Sequence, residues 1–159
     1  MSVCMYNNMN NDIIIPYKYS FVGHFTSLYM LIPMYLSYKL NNYTITVACL
    51  YLYITTNLHW FNVKEGFVKK TDMSAVGLFS IITAIETYKK YKYFYVYWII
   101  SFINICIFKY NKYTNYKPII YNIKNRIKTD PFTYMELVAI HVLTLHIAQM
   151  MALYFVLNY

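Results

Sequence analysis

The charged residues of this chain stand in small groups, and between the groups lie uncharged runs of membrane-crossing length. Tyr19 to Tyr38 is uncharged between Lys18 and Lys39, and Leu40 to Val63 is uncharged between Lys39 and Lys64. Each has about the 20 residues that a helix needs to cross a hydrocarbon core of roughly 30 Å. A third run opens after Asp72 and continues to Tyr88 with Glu86 near its end, a fourth covers Tyr93 to Phe108, and a fifth covers Leu137 to Tyr159. The pattern predicts an all-α fold, a multi-pass bundle of about five membrane-spanning helices that makes residues 1–159 a single integral membrane domain.

Composition works against a water-soluble alternative. Apolar residues are 59 % of the chain and charged residues 13 %, when a soluble domain carries about 25 % charge on its outer shell. Cys4, Cys49 and Cys106 are odd in number, widely spaced and without a CxxC pair, which excludes a disulfide framework and a zinc knuckle. The net charge of +8 is distributed between the apolar runs and not gathered in one stripe. It suits membrane flanks, and no nucleic-acid partner is expected. The 21 tyrosines among many Asn, Ile and Lys, with only three Gly, reflect an AT-rich genome as much as physical need. Nothing resembles a Walker loop, a GxSxG elbow or a Rossmann fingerprint, so nucleotide-dependent, serine-hydrolase and dinucleotide chemistry have no support.

With five crossings, ten basic residues fall on one side (Lys18, Lys64, Lys69 and Lys70, and six from Lys109 to Lys128) and four on the other (Lys39, Lys89, Lys90 and Lys92). That bias predicts a cytosolic N-terminus. Residues 1–18 read as a polar tail without the basic, apolar and small-residue sections of a cleaved signal peptide. Residues 109–131 form a basic cytosolic loop. Within it Ile119, Ile123 and Ile127 recur at helical spacing while Lys124, Arg126 and Lys128 lie off that line; this fits either a short helix in the headgroup layer or a solvated loop. Pro131 after Asp130 marks the start of the final helix, with Asp130 as its cap.

Ionisable groups inside a span are costly and are by default candidates for function. His24, His59, Asp72, His141 and His146 all fall in the cytosolic half of the predicted bundle. Thr55 and His59, four apart, share a helix face. His141 and His146 lie about 140° apart on an ideal helix, and a single π-turn, a feature common at functional sites, would bring them into line. Three imidazoles with one open position and a carboxylate nearby make a workable catalytic zinc site. The candidate ligands are His59, His141 and His146, with Asp72 as base or water-positioner and Thr55 as a supporting hydroxyl. The plainer alternative makes the histidines polar glue between helices and Asp72 a helix cap. The chain would then be a non-enzymatic viral or organellar structural or interaction subunit, its basic loop attracted to anionic lipid or an acidic partner. A channel or transporter subunit is a third possibility, weakened by the scarcity of Gly and Pro within the spans.

The segments TTNLHW, KTDMSAVGL and HVLTLH together resemble the membrane hydrolase superfamily of alkaline ceramidases, progestin and adipoQ receptors and Per1 proteins. That family carries a Ser three residues before a His late in one helix, an Asp at the head of the next, and an HxxxH pair in its final helix. The counterparts are Thr55 with His59, Asp72, and His141 with His146. Here the hydroxyl belongs to Thr, the final pair is one residue wider, and the spans number five where the family has seven. The resemblance implies a zinc held by three histidines and hydrolysis of an amide or ester in a membrane lipid, aided by the Asp and the hydroxyl.

Overall fold

A computed structural model describes residues 13–61, 63–64 and 66–159. Among the described residues there is no strand beyond one isolated bridge between Ile13 and Lys64, and the fold is all-α as predicted. Five long helices follow one another: α1 over residues 17–39, α2 Tyr43–Phe61, α3 Phe67–Lys90, α4 over residues 94–124, and α5 Pro131–Asn158. Part of the predicted 1–18 tail, residues 1–12, lies outside the described residues. Ile14 and Ile15 are buried, and the Ile14 amide donates to the Val63 carbonyl.

Three helices depart from ideal winding, and two of the departures have a local cause. In α1 the turn Ser27–Met30 tightens to a 3₁₀ geometry just before Pro33, which offers no N–H to the carbonyl one turn back. In α4 the segment Lys112–Tyr116 widens to a π-turn just before Pro118, with the Lys117 amide reaching back five residues to the Lys112 carbonyl. The same proline argument covers it. In α5 the segment Val142–Ala148 is also a π-turn, closed by the Gln149 amide on the Thr144 carbonyl, yet no proline or glycine stands within that helix beyond Pro131 at its head. Asp130 caps α5 as the sequence predicts, its side chain accepting from the Phe132 amide. Asp72, expected to open its helix, lies a turn and a half inside α3, which begins at Phe67. Nor is the polar stretch after Tyr110 a separate loop: α4 runs through it to Lys124, with Ile119 buried.

Each helix packs against the next, and α5 closes the ring by packing on both α4 and α1. Two apolar clusters fill the interior, one around Ile45, Leu52, Phe79 and Leu153 and one around Trp60, Ile119 and Val138, yet large apolar side chains also face outward and small hydroxyls are buried beside the core. Phe102, Val47, Leu58 and Ile81 point outward with 69 %, 64 %, 60 % and 60 % of their surface exposed, while Ser20, Ser27, Ser37, Thr83 and Thr87 are at 0 %. Of the five helices, α5 alone among the described residues is long and apolar enough to qualify as a membrane span, with a mean hydropathy of 1.7. The predicted count of five crossings therefore agrees with the number of long helices and not with their apolarity. Tyrosine accounts for part of the shortfall: Tyr43, Tyr51 and Tyr53 in α2 and Tyr95, Tyr97 and Tyr110 in α4 lower the mean hydropathy of helices whose outer faces are otherwise Leu, Ile, Val and Phe.

Candidate functional site

The site forms where the five helices approach one another near the end of the bundle that holds the Lys-rich connections. Trp60 sits at its centre. A Cβ at position 23 would collide with the indole, so Gly23 is what allows α1 to close on α2. Three imidazoles surround the ring, with centroids 4.9 Å away for His141, 5.6 Å for His59 and 6.1 Å for His146. His141 and His146 stand edge to face at 5.3 Å. This is the work of the π-turn. In a π-turn residues five apart stack, so the wider spacing of this pair still puts both rings on one face.

His146 is buried, and its Nδ1 is 2.8 Å from the Thr26 hydroxyl oxygen. That hydroxyl also donates to the Val22 carbonyl at 2.7 Å. Thr26 has one proton, and assigning it to the carbonyl leaves His146 Nδ1 as the donor. The other nitrogen, Nε2, then carries a lone pair. It is buried and has no hydrogen-bond partner among the described residues, a state that costs free energy unless something binds there.

Asp72 is buried on α3, where its carboxylate accepts from the Thr56 hydroxyl at 2.9 Å. Thr55, the hydroxyl singled out from the sequence, donates to the Leu52 carbonyl at 3.1 Å and flanks the same carboxylate. Thr56, three residues before His59, shares its helix face as well as Thr55 does, and helical spacing alone does not choose between the two hydroxyls. Thr26 and Trp60 carried no motif that sequence spacing could expose.

Two cavities meet at these residues. The larger, about 170 Å³, is lined by His59, Asp72 and His141 together with Met73, Val76, Ile105 and Phe108, and Lys69, Lys112 and Tyr116 stand at its basic end. The smaller, about 60 Å³, is lined by Thr56, Asp72, His141, His146 and Gln149. Asp72 and His141 border both. Of the predicted residues, His59, Asp72, His141 and His146 each border one cavity or both, whereas Thr55 and His24 line neither, His24 packing beside Phe61 at 6.3 Å.

Among the described residues no three of His, Cys, Asp and Glu converge closely enough to hold one ion. The donors nonetheless fit zinc in kind: imidazoles around a buried cavity, one of them with a lone pair aimed at no protein partner and with its other nitrogen fixed by a hydroxyl. An outer partner of that sort sets the tautomer a metal ligand requires. Comparison with known proteins matched no family model, no curated protein and no solved structure.

Proposed function

We propose that the chain is a five-crossing integral membrane protein, basic end toward the cytosol, whose interior site hydrolyses an ester or amide bond in a membrane lipid with the help of zinc. The observation that carries this reading is the cavity bordered by both Asp72 and His141, with two further imidazoles beside it. A buried carboxylate and a cluster of imidazoles are expensive to keep in an apolar bundle, and such expense is concentrated at sites of chemistry. The membrane part of the proposal is supported by the outward-facing Phe, Leu, Ile and Val side chains and by the buried hydroxyls. Water would penalise that arrangement at about 25 cal/mol for each Å² of apolar surface, and lipid would not.

His59, His141 and His146 would hold the ion, and zinc there would supply a Lewis acid to polarise the scissile carbonyl. The chain's own groups do the remainder. The Asp72 carboxylate, fixed by Thr56, takes a proton from a water in the cavity as the water oxygen bonds to the carbonyl carbon. The carbon then loses its bond to the leaving oxygen or nitrogen, which receives that proton from Asp72. Apolar walls from Val76, Ile105 and Phe108 seat the chain of the lipid and limit the water present. Outside the site, the exposed Lys124, Arg126 and Lys128 favour a leaflet rich in anionic lipid.

The test is release of the acyl chain from lipid esters and amides by the full chain purified in a neutral detergent and supplied with zinc. Turnover that disappears in His59→Ala is the expected result. Folded, zinc-supplied protein that releases no acyl chain from any ester or amide lipid would overturn the reading.

A further inference from the structure

Under the hydrolase reading the larger cavity holds a lipid chain; the smaller one, about 60 Å³, is built for a different occupant. Ser80, Ser101, Asn104, His146 and Gln149 all line it, and none of them lines the larger cavity. Their hydrogen bonds inside the protein leave capacity over. Asn104 donates one N–H to Gln149 Oε1 at 3.0 Å, which leaves its second N–H and its Oδ1. The Ser80 hydroxyl donates to the Val76 carbonyl at 2.8 Å and keeps its lone pairs. Ser101 donates to the Tyr97 carbonyl at 2.6 Å and accepts from Gln149 at 2.6 Å, with one lone pair left. His146 Nε2 is buried and has no hydrogen-bond partner among the described residues. Donors and acceptors around one small volume suit water, which takes two to four polar partners, and the volume admits about two to four molecules at roughly 15–30 Å³ each. A hydrocarbon chain there would leave every one of these groups unmet.

Resting on the hydrolase reading, we propose that the smaller cavity is the water chamber of the site: ordered water sits among Ser80, Ser101, Asn104 and Gln149 and reaches Asp72 from there, while the lipid chain lies in the larger cavity. Asp72 and His141 border both cavities, so the carboxylate that takes the proton stands where the two contents meet. His146 Nε2 meets the ion when zinc is held and a water proton when it is not; the serines and Asn104 hold water in either case. Each turnover consumes one water. Its hydroxyl goes to the acyl carbon, its other hydrogen leaves on the alcohol or amine, and the chamber supplies the next molecule. Water is thereby confined to the position of attack, and the path of the lipid chain stays apolar.

Radiolytic footprinting of the full chain in neutral detergent, with zinc supplied, tests for that water independently of turnover, because hydroxyl radicals formed from bound water oxidise the side chains beside it. Met30 and Met150 line the chamber and are both 3 % exposed, whereas Cys49 is at 0 % and lines neither cavity. The two methionines are expected to oxidise several times faster than Cys49, an equally reactive side chain in a dry position. Ser80→Leu, which puts hydrocarbon into the chamber, should bring both methionines down to the Cys49 rate and lower kcat, with KM for the lipid within about twofold of the parent chain. Asn104→Leu should lower kcat by about tenfold at unchanged KM; Ser80→Leu carries the test alone if that chain does not fold, since the Ser80 hydroxyl is bonded only within its own helix. Met73→Phe, in the larger cavity, should instead raise KM and leave the labelling of Met30 and Met150 as it was. Methionines that oxidise no faster than Cys49, or a Ser80→Leu chain with the labelling and kcat of the parent, would overturn the inference. The two proposals fail separately. Labelled methionines in a chain that hydrolyses no lipid would keep the water and remove the hydrolase, whereas hydrolysis with Met30 and Met150 as slow as Cys49 would keep the hydrolase and remove the chamber.

Discussion

Both halves of the bundle interior carry buried polar groups among apolar side chains, but they handle that polarity in different ways. Toward the end where α1 meets α2, hydroxyls and amides mostly answer one another, the buried Asn42 Nδ2 being the exception among the described residues. Ser37 pairs with Thr46 at 2.9 Å, Thr83 with Tyr97 at 2.6 Å, and Gln149 donates to Ser101 at 2.6 Å while accepting from Asn104 at 3.0 Å. Neither of the two cavities is lined by Ser37, Thr83 or Tyr97, although Ser101, Asn104 and Gln149 border the smaller one. Toward the Lys-rich end, by contrast, imidazoles stand around Trp60 with His146 Nε2 lacking a partner, and open volume reaches Asp72 and His141. Groups that satisfy one another hold helices together. Groups kept buried with a nitrogen unspent and space in front of it are arranged for something that arrives later.

Replacing a member of each half should therefore damage different properties. Asp72→Asn removes the base while preserving size and the bond from Thr56; lipid hydrolysis should fall by about 10²–10⁴-fold, with zinc content and thermal midpoint held. A variant that instead loses stability and keeps its rate per folded molecule would move Asp72 into the structural half. Thr26→Val strips His146 Nδ1 of its partner, and zinc affinity measured by competition with a chelator should weaken by about 10–100-fold. An unchanged affinity would remove His146 from the site. Thr83→Val, in the half away from the site, removes the hydroxyl that pairs with Tyr97 at 2.6 Å. It should cost about 1–3 kcal/mol in unfolding measurements and leave the rate per folded molecule unaltered.

The smallest effect comes from the most drastic-looking change. Deleting Leu143, whose side chain is outward-facing, takes one residue from the π-turn and converts it to regular α-helix, in which His141 and the second His become four apart and still share a face. Hydrolysis should stay within about twofold of the parent chain. Deleting Phe155, within the regular winding of α5, rotates all that follows by about 100° and should be far more damaging to folding. Equal harm from the two deletions would mean that the π-turn is not a spare residue in the helix.

The sequence made the five helices legible because sparse charges bracket uncharged runs, and it made the grouping of His59, Asp72, His141 and His146 toward one end of the bundle legible because position along each helix follows from distance to those charges. Helix starts were less visible: α3 begins at Phe67, five residues before Asp72, because Lys69 and Lys70 are as good helix formers as loop residues and their charges mark no boundary. The join of the basic stretch to α4 was hidden by Pro118, which reads as a helix break and is absorbed by a π-turn. In α5 the sequence only allowed a π-turn; no local residue requires one, so its cause is tertiary, in the packing of His146 against Thr26 and of His141 against Trp60 and Phe108. The hydroxyl on Asp72 and the indole between the imidazoles depended on contacts between helices that no spacing within one helix records.

Zinc content measured by elemental analysis on the detergent-purified full chain, beside His141→Ala prepared in the same way without chelator, tests the central claim most directly. The account predicts about one zinc per chain, as for a mononuclear catalytic site, and its loss in a variant that remains folded. Folded parent chain without stoichiometric zinc, or a variant that retains all of it, would contradict the account and return the imidazoles to the role that Ser37 and Thr83 play in the other half.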